Sequence, residues 1–315
     1  MVRNLSWAHD MGLLKDDHRM EIGTILNGVV DFDYPMSKLA TAGVGGEVAA
    51  LCRVRHLSML KHLVAFLSGE HIPYLAVGKG SNILVTDEGF GGVVIVLEGK
   101  LSEVEGLEQG KDSLRAGGGL ALGGLLSYCR DKGLGGLEFL AGIPGTVGGA
   151  IAMNAGAFGS EIGPLVREIS VVVPGGETKT MRAPELKFSY RSLSLPGGTV
   201  IAQALIGVRK DEPERIGSRI SENLARRKKT QPVEYPSCGS VFKNPPGDFA
   251  GRLIEQAGLK GSRVGGAMIS PKHANFIVNT GGATAKDFVQ LMDLARREVR
   301  KRIGVELDPE IRIIG

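Results

Sequence analysis

The sequence predicts an α+β protein with a glycine-rich, strand-dominated middle and a smaller α/β unit over residues 211–302. Strand and helix periods alternate through the first half of the chain. Three strand-like runs between residues 169 and 205 are divided only by Pro/Gly turns. Beyond residue 211 the composition shifts to charged, helical stretches. With 315 residues, 43% of them hydrophobic, the chain can bury a substantial core, and its length favours two or three domains.

Taken in order, residues 1–36 show no strong period and are expected to form a partly ordered arm. Val48–Val54 reads as a strand. Leu57, Leu60, Val64 and Leu67 recur at helical spacing, with Gly69 as the stop. Tyr74–Val77 and Ile83–Val85 read as short strands joined by G-K-G-S-N, and Val93–Leu97 as another. Leu122, Leu125, Leu126 and Cys129 mark one helix face ending near Gly133. Ile169–Val173, Thr178–Met181 and Thr199–Leu205 read as antiparallel strands.

Pro213 suits the first turn of a helix running to about Lys229, with Ile216, Ile220 and Leu224 inward. Arg226, Arg227, Lys228 and Lys229 suit its negative end. Asp248 can cap a helix ending near Gly258, and Asn275–Asn279 reads as a strand. A long helix follows from about Ala285 to Ile303, striped by Phe288, Leu291, Ala295 and Val299, capped by Thr284 and stopped by Gly304. Ile311–Ile314 is a final strand, read as returning to an earlier sheet.

Composition excludes several classes. Glycine is 47 of 315, about twice the ~7% of average usage, yet no G-X-Y period exists. A net charge of +4 and 5% aromatics point to no nucleic-acid surface. Cys52, Cys129 and Cys238 are far apart, without metal-ligand spacing, so no metal is expected. Cys52 and Cys129 read as small core residues. The start lacks an apolar signal core and no segment suits a bilayer, which makes a cytoplasmic protein the expectation. A monomer is expected as well.

The most informative segment is Phe139–Ser160, F-L-A-G-I-P-G-T-V-G-G-A-I-A-M-N-A-G-A-F-G-S, with six glycines and no charge. Its glycines, Pro144 and Asn154 argue against a membrane span. It suits either bare backbone N–H groups held against a phosphate or a tightly packed buried loop. A second segment, V-G-K-G-S-N-I-L-V at Val77–Val85, is neither G-x-G-x-x-G nor a Walker loop. It can form an N–H nest, with Ser81 and Asn82 as further donors, or a plain hairpin turn. Two such loops suit a dinucleotide pyrophosphate.

Elsewhere, P-S-C-G-S-V-F-K-N-P at Pro236–Pro245 holds Ser237 and Ser240 as proton donors and Lys243 and Asn244 as anion and polar contacts. A serine hydroxyl is a poor acid and needs a very basic acceptor such as a carbanion. The plainer reading is a surface turn. F-S-Y-R-S-L places Arg191 beside Tyr190, where Arg can hold a carboxylate through two parallel hydrogen bonds or form a structural ion pair. L-D-P-E-I-R-I-I-G sets Glu310 and Arg312 on one side of a terminal strand, ordinarily a solvated edge. S-P-K-H-A-N-F-I-V-N adds Lys272, His273 and Asn275, with His273 a weaker candidate.

These segments, with R-K-K-T-Q-P and in this order from about Ser37 to Gly315, resemble the UDP-N-acetylenolpyruvoylglucosamine reductase family, in its shorter type without the extra tyrosine-bearing loop. The resemblance implies an FAD-binding fold of the vanillyl-alcohol oxidase type, built of two α/β subdomains (about 37–90 and 91–210), plus a smaller α/β substrate-binding domain (211–302) and a C-terminal strand (303–315). It implies noncovalent FAD, NADPH as reductant, and reduction of the UDP-N-acetylglucosamine enolpyruvyl ether to UDP-N-acetylmuramate for peptidoglycan. Hydride would pass from flavin N5 to C3, and a proton to C2 from Ser240.

Under the same resemblance Arg191 and Glu310 complete the catalytic group. FAD would be held by Gly78, Lys79, Gly80, Ser81, Asn82, Ile83, Gly142, Ile143, Pro144, Gly145, Thr146, Gly148, Gly149, Gly156 and Arg312. Substrate contacts would be Tyr190, Lys229, Lys243 and Asn244. The sequence departs from relatives at Ser37–Gly46, where Ala42 and Gly43 stand in place of an aromatic and a basic residue. A related FAD oxidase and a non-catalytic nucleotide-binding regulator are the alternatives.

Overall fold

The computed structural model describes residues 14–107 and 112–315. The α+β expectation holds, with seven helices and three principal sheets among the described residues. The first sheet runs Val30–Pro35, Glu47–Val54, Phe90–Leu97, Tyr74–Ala76; its first pair is antiparallel and the others parallel. The second is a five-stranded antiparallel sheet in the order Thr178–Arg182, Val166–Val172, Val200–Gly207, Ser113–Gly117, Val104–Leu107. The third is antiparallel and orders Ser237–Ser240, Phe276–Asn279, Ala267–Ile269, Arg263–Val264.

Helix α1 (Asp16–Ile25) and the Val30–Pro35 strand lie in the stretch expected to form a partly ordered arm. Only Ile22 of α1 is buried, so its apolar period is weak, and Arg19 anchors it to Asp33 with paired 2.8 Å bonds. Residues 1–13 of the expected arm lie outside the described residues.

Helix α2 (Leu57–Gly69) buries Leu60, Leu63, Val64 and Leu67. They share one apolar cluster with Cys52, Val93 and Ile95 of the first sheet and Val172 and Val200 of the second, so α2 joins the two sheets. At about 1.5–3 kcal/mol per buried side chain, this stripe is a major part of that junction. Leu57, expected in the stripe, is 39% exposed at the first turn, and Leu63 takes its place in the core.

Helices α3 (Leu122–Asp131) and α4 (Val147–Ala152) pack on the five-stranded sheet. The apolar part of the Phe139–Ser160 run supplies this core through Phe139, Leu140, Val147 and Ile151, while Gly142 and Pro144 stay exposed. The packed-loop reading therefore holds for the apolar residues of the segment.

Helix α5 (Pro213–Thr230) starts with Pro213 in its first turn and buries Ile216, with Ile220 half-buried. Leu224 is 45% exposed rather than inward. The packed half of α5 is tied down through Arg219, which bonds Glu138 and Asp211, and Asn223, which donates to the Glu138 carbonyl. Beyond it Arg226, Lys228 and Lys229 are exposed, while Arg227 donates to the Ala141 carbonyl at 2.7 Å.

Helix α6 (Ala250–Gln256) begins two residues after Asp248, whose carboxylate takes the Phe249 N–H just outside the helix. Asn244 Oδ1 instead accepts from Ala250 at its first position. Helix α7 (Ala285–Ile303) has the expected Thr284 cap, completed by Asp287, and the expected Gly304 stop at φ 81°. Asp87, from the first half of the chain, accepts the Ala285 and Lys286 N–H groups.

The G-K-G-S-N segment is not a hairpin turn. Tyr74–Ala76 pairs with Phe90–Leu97, whereas Ile83–Val85 pairs in parallel with the closing strand Arg312–Ile314. Among the described residues no helix is long and apolar enough to cross a membrane. All three cysteines are buried, and burial pushes each thiol up to about 12, which suits inert core roles.

Candidate active site

The two glycine-rich segments touch. A Cβ on Gly78 would lie 2.6 Å from Thr146 Oγ1, so only glycine permits the approach. Ser81 Oγ donates to the Pro144 carbonyl. Among the described residues the N–H groups of Gly78, Lys79, Gly80, Ser81 and Asn82 find no protein acceptor. Unpaired consecutive donors of this kind suit an anion, and a pyrophosphate is long enough to use several.

The other residues expected at the cofactor lie along the same two segments, except Arg312 on the closing strand. Ile83 is buried in the strand that pairs with Arg312–Ile314, and Arg312 itself is exposed. Gly142, Ile143, Pro144 and Gly145 form the open loop before Thr146, whose hydroxyl accepts from Gly149. Gly148 sits in α4 with its N–H on the Gly118 carbonyl. The Gly156 carbonyl accepts from Arg191 Nη1 at 3.2 Å.

The first glycine segment leads directly to the candidate catalytic residues. Asn82 Nδ2 donates to the Glu310 carbonyl at 3.2 Å, and the Arg312 N–H donates to Asn82. The Glu310 N–H in turn bonds the Val241 carbonyl, which holds Glu310 beside Ser240. Asn275, buried, clamps Phe242: its Oδ1 takes the Phe242 N–H at 2.9 Å and its Nδ2 donates to the Phe242 carbonyl at 2.8 Å. Ser240 ends its strand at a register shift after Gly239, which adopts φ +75°.

Arg191 arrives from the tip of the hairpin Phe188–Ser189/Ser192–Leu193. It adopts φ 57°, a left-handed conformation uncommon for a bulky residue and costing on the order of 1 kcal/mol. Its Nε lies 3.1 Å from Glu310 Oε1, and its guanidinium carbon lies 5.3 Å from the Tyr190 ring centre. Burial pushes the Glu310 carboxyl above its ordinary pKa; Arg191 and, less strongly, Lys243 pull it back.

Arg191, Ser240 and Glu310 line one cleft of about 370 Å³ together with Tyr190 and Asn244. Lys243 and Lys229 are not in its lining: Lys243 pairs with Asp308 at 2.7 Å, and Lys229 is exposed near the end of α5. His273 also lines the cleft; its Nδ1 accepts from the Asn275 N–H, and burial lowers its pKa. Phe249, Arg252 and Glu255 complete another wall. Sequence reading passed over these three, which carry no motif.

Residues 48–182 match the family model described as FAD binding domain. With that match, fold and site define an FAD-dependent oxidoreductase. Residues 231–314 match the model for the UDP-N-acetylenolpyruvoylglucosamine reductase C-terminal domain. The chain is 43% identical over 284 residues to UDP-N-acetylenolpyruvoylglucosamine reductase 2 of Symbiobacterium thermophilum, covering 89% of this chain and 91% of that one. It is 38% identical over 287 residues to the Listeria monocytogenes reductase, covering 91% and 95%. Among solved structures, the reductase from Thermus caldophilus superimposes with a TM-score of 0.77 at 37% identity, covering 90% of this chain and 98% of that one. The chain belongs to the UDP-N-acetylenolpyruvoylglucosamine reductase family.

Proposed function

We propose that this chain reduces the enolpyruvyl ether of UDP-N-acetylglucosamine to UDP-N-acetylmuramate in peptidoglycan precursor synthesis, using FAD and NADPH. The observation that supports this most directly is the meeting of Arg191, Ser240 and Glu310 in one cleft, joined to the glycine segments through Asn82. In this reading residues 37–210 hold FAD noncovalently, 211–302 bind substrate, and the closing strand carries Glu310 to the site. The unpaired donors of Gly78–Asn82, with the Gly142–Gly145 loop and the start of α4 against them, would take the pyrophosphate. FAD, when bound there and reduced by NADPH, would supply the hydride for C3 of the substrate.

Arg191 would bind the substrate carboxylate and hold the negative charge that gathers on it, in a partly dry site where that interaction is strong. Glu310, buried beside it, would keep the guanidinium oriented and, when protonated, donate to the same carboxylate. Ser240 would give its proton to C2, the carbanion-like carbon basic enough to take one from a hydroxyl. Tyr190 and Asn244 line the same cleft and would contact the sugar nucleotide. Lys229 and Lys243 lie outside the lining of that cleft, and Lys243 is paired with Asp308. The reading further makes the protein a cytoplasmic monomer.

An anaerobic titration tests this reading. Purified protein should be yellow; NADPH should bleach it, and the enolpyruvyl ether should restore the colour. Colourless protein that takes up no added FAD would overturn it.

A further inference from the structure

Asn154 is 2% exposed and adopts φ 41°, just past the end of α4. Its N–H bonds the Ile151 carbonyl, so it closes the helix, a position where glycine or asparagine fits best. Both of its side-chain polar atoms are used. Oδ1 accepts from the Gly163 N–H at 3.0 Å; Nδ2 donates to Glu161 Oε2 at 2.8 Å and to the Ser189 carbonyl at 3.0 Å. Ser189 lies in the hairpin whose tip is Arg191. Glu161 pairs with Gly156, and the Gly156 carbonyl receives Arg191 Nη1. Asn154 therefore holds both the backbone that carries Arg191 and the strand that receives its guanidinium.

We propose that Asn154 is a positioning residue for Arg191, fixing the guanidinium against Glu310 through the Ser189 carbonyl and the Gly156–Glu161 strand pair. The inference rests on the reading of Arg191 as the carboxylate-binding group. Glycine at position 154 keeps the left-handed backbone without strain and removes only the side-chain bonds. Loss of those bonds lets the hairpin tip move, and a displacement of about 1 Å at a reacting centre can cost on the order of 100-fold in rate.

The test is a double-mutant cycle on the holoenzyme, comparing wild type, Asn154→Gly, Arg191→Lys and the pair. The NADPH-reduced flavin is mixed with the enolpyruvyl ether under anaerobic conditions. Each protein is first shown to be folded by its flavin content and a cooperative thermal transition. Asn154→Gly should slow reoxidation by about 10- to 100-fold. Added to Arg191→Lys it should slow it by less than threefold more. Fully multiplicative effects, or an Asn154→Gly rate equal to wild type with Arg191→Lys slow, would overturn the positioning role and leave the Arg191 reading intact. Wild-type reoxidation in Arg191→Lys would overturn both. Should Asn154→Gly fail to fold, Asn154→Asp replaces it in the cycle with the same outcomes, since it keeps an acceptor for Gly163 and loses both donated bonds.

Discussion

Arg191 Nε stands 3.1 Å from Glu310 Oε1, with the two side chains 21% and 14% exposed. The contact joins a hairpin tip to the segment just before the last strand, far apart in the chain. It leaves Arg191 Nη1 on a backbone carbonyl rather than on a second acid. The pair keeps a cation in the cleft with capacity for an incoming carboxylate.

Arg191→Lys keeps the charge and loses the planar fork. A charge-assisted hydrogen bond contributes about 1.5–3 kcal/mol, so reoxidation of the reduced flavin by substrate should slow roughly 10- to 100-fold. Stopped-flow absorbance measures it. An unchanged rate would remove Arg191 from the chemistry.

Glu310 provides a pH signature. Its folded pKa is raised, mainly by burial. Its stabilising contribution is therefore complete below the unfolded carboxyl pKa, about 4.3, and is lost as pH rises through the folded value. Glu310→Gln does not titrate. The melting temperature of wild type minus that of Glu310→Gln should fall as pH rises above about 4. A difference independent of pH, or one that grows, would mean that burial does not control this carboxyl.

Two glycines separate cofactor from stability effects. Gly78→Ala would set a Cβ 2.6 Å from Thr146 Oγ1 and push the two loops apart, so FAD should dissociate more readily on dilution. Gly123→Ala, in α3 with nothing within 4 Å of the added carbon, should stabilise the fold by about 0.5–1 kcal/mol. Fluorescence of released flavin and thermal melts distinguish them. Equal FAD retention in both variants would contradict the loop contact.

Asn275→Ala would strip both bonds from the buried Phe242 backbone. Leaving a buried donor and acceptor unpaired costs about 1–3 kcal/mol each, so a loss of about 2–6 kcal/mol in unfolding free energy is expected. Chemical denaturation measures it, and a loss below about 0.5 kcal/mol would show that the Phe242 groups find other partners.

Local signals read well from sequence because their physics is local. Thr284 and Gly304 bound α7 as a side-chain cap and a left-handed stop, both legible within a few residues. The apolar face of α3 was legible for the same reason. Leu224 was misread because periodicity marks a face without saying where packing ends. The Arg191–Glu310 contact and the Asn154 bonds join segments whose separation no spacing rule encodes. Candidate residues were legible as types within motifs. That Arg191, Ser240 and Glu310 share a cleft while Lys243 turns to Asp308 required the fold.

The most direct test of the central claim, that Ser240 is the proton donor, follows flavin absorbance in Ser240→Ala through both half-reactions. Bleaching by NADPH should proceed as in wild type, and return of colour on adding the enolpyruvyl ether should slow by at least about 100-fold, the lower end of general-acid contributions. Slow bleaching followed by normal recolouring would contradict the account.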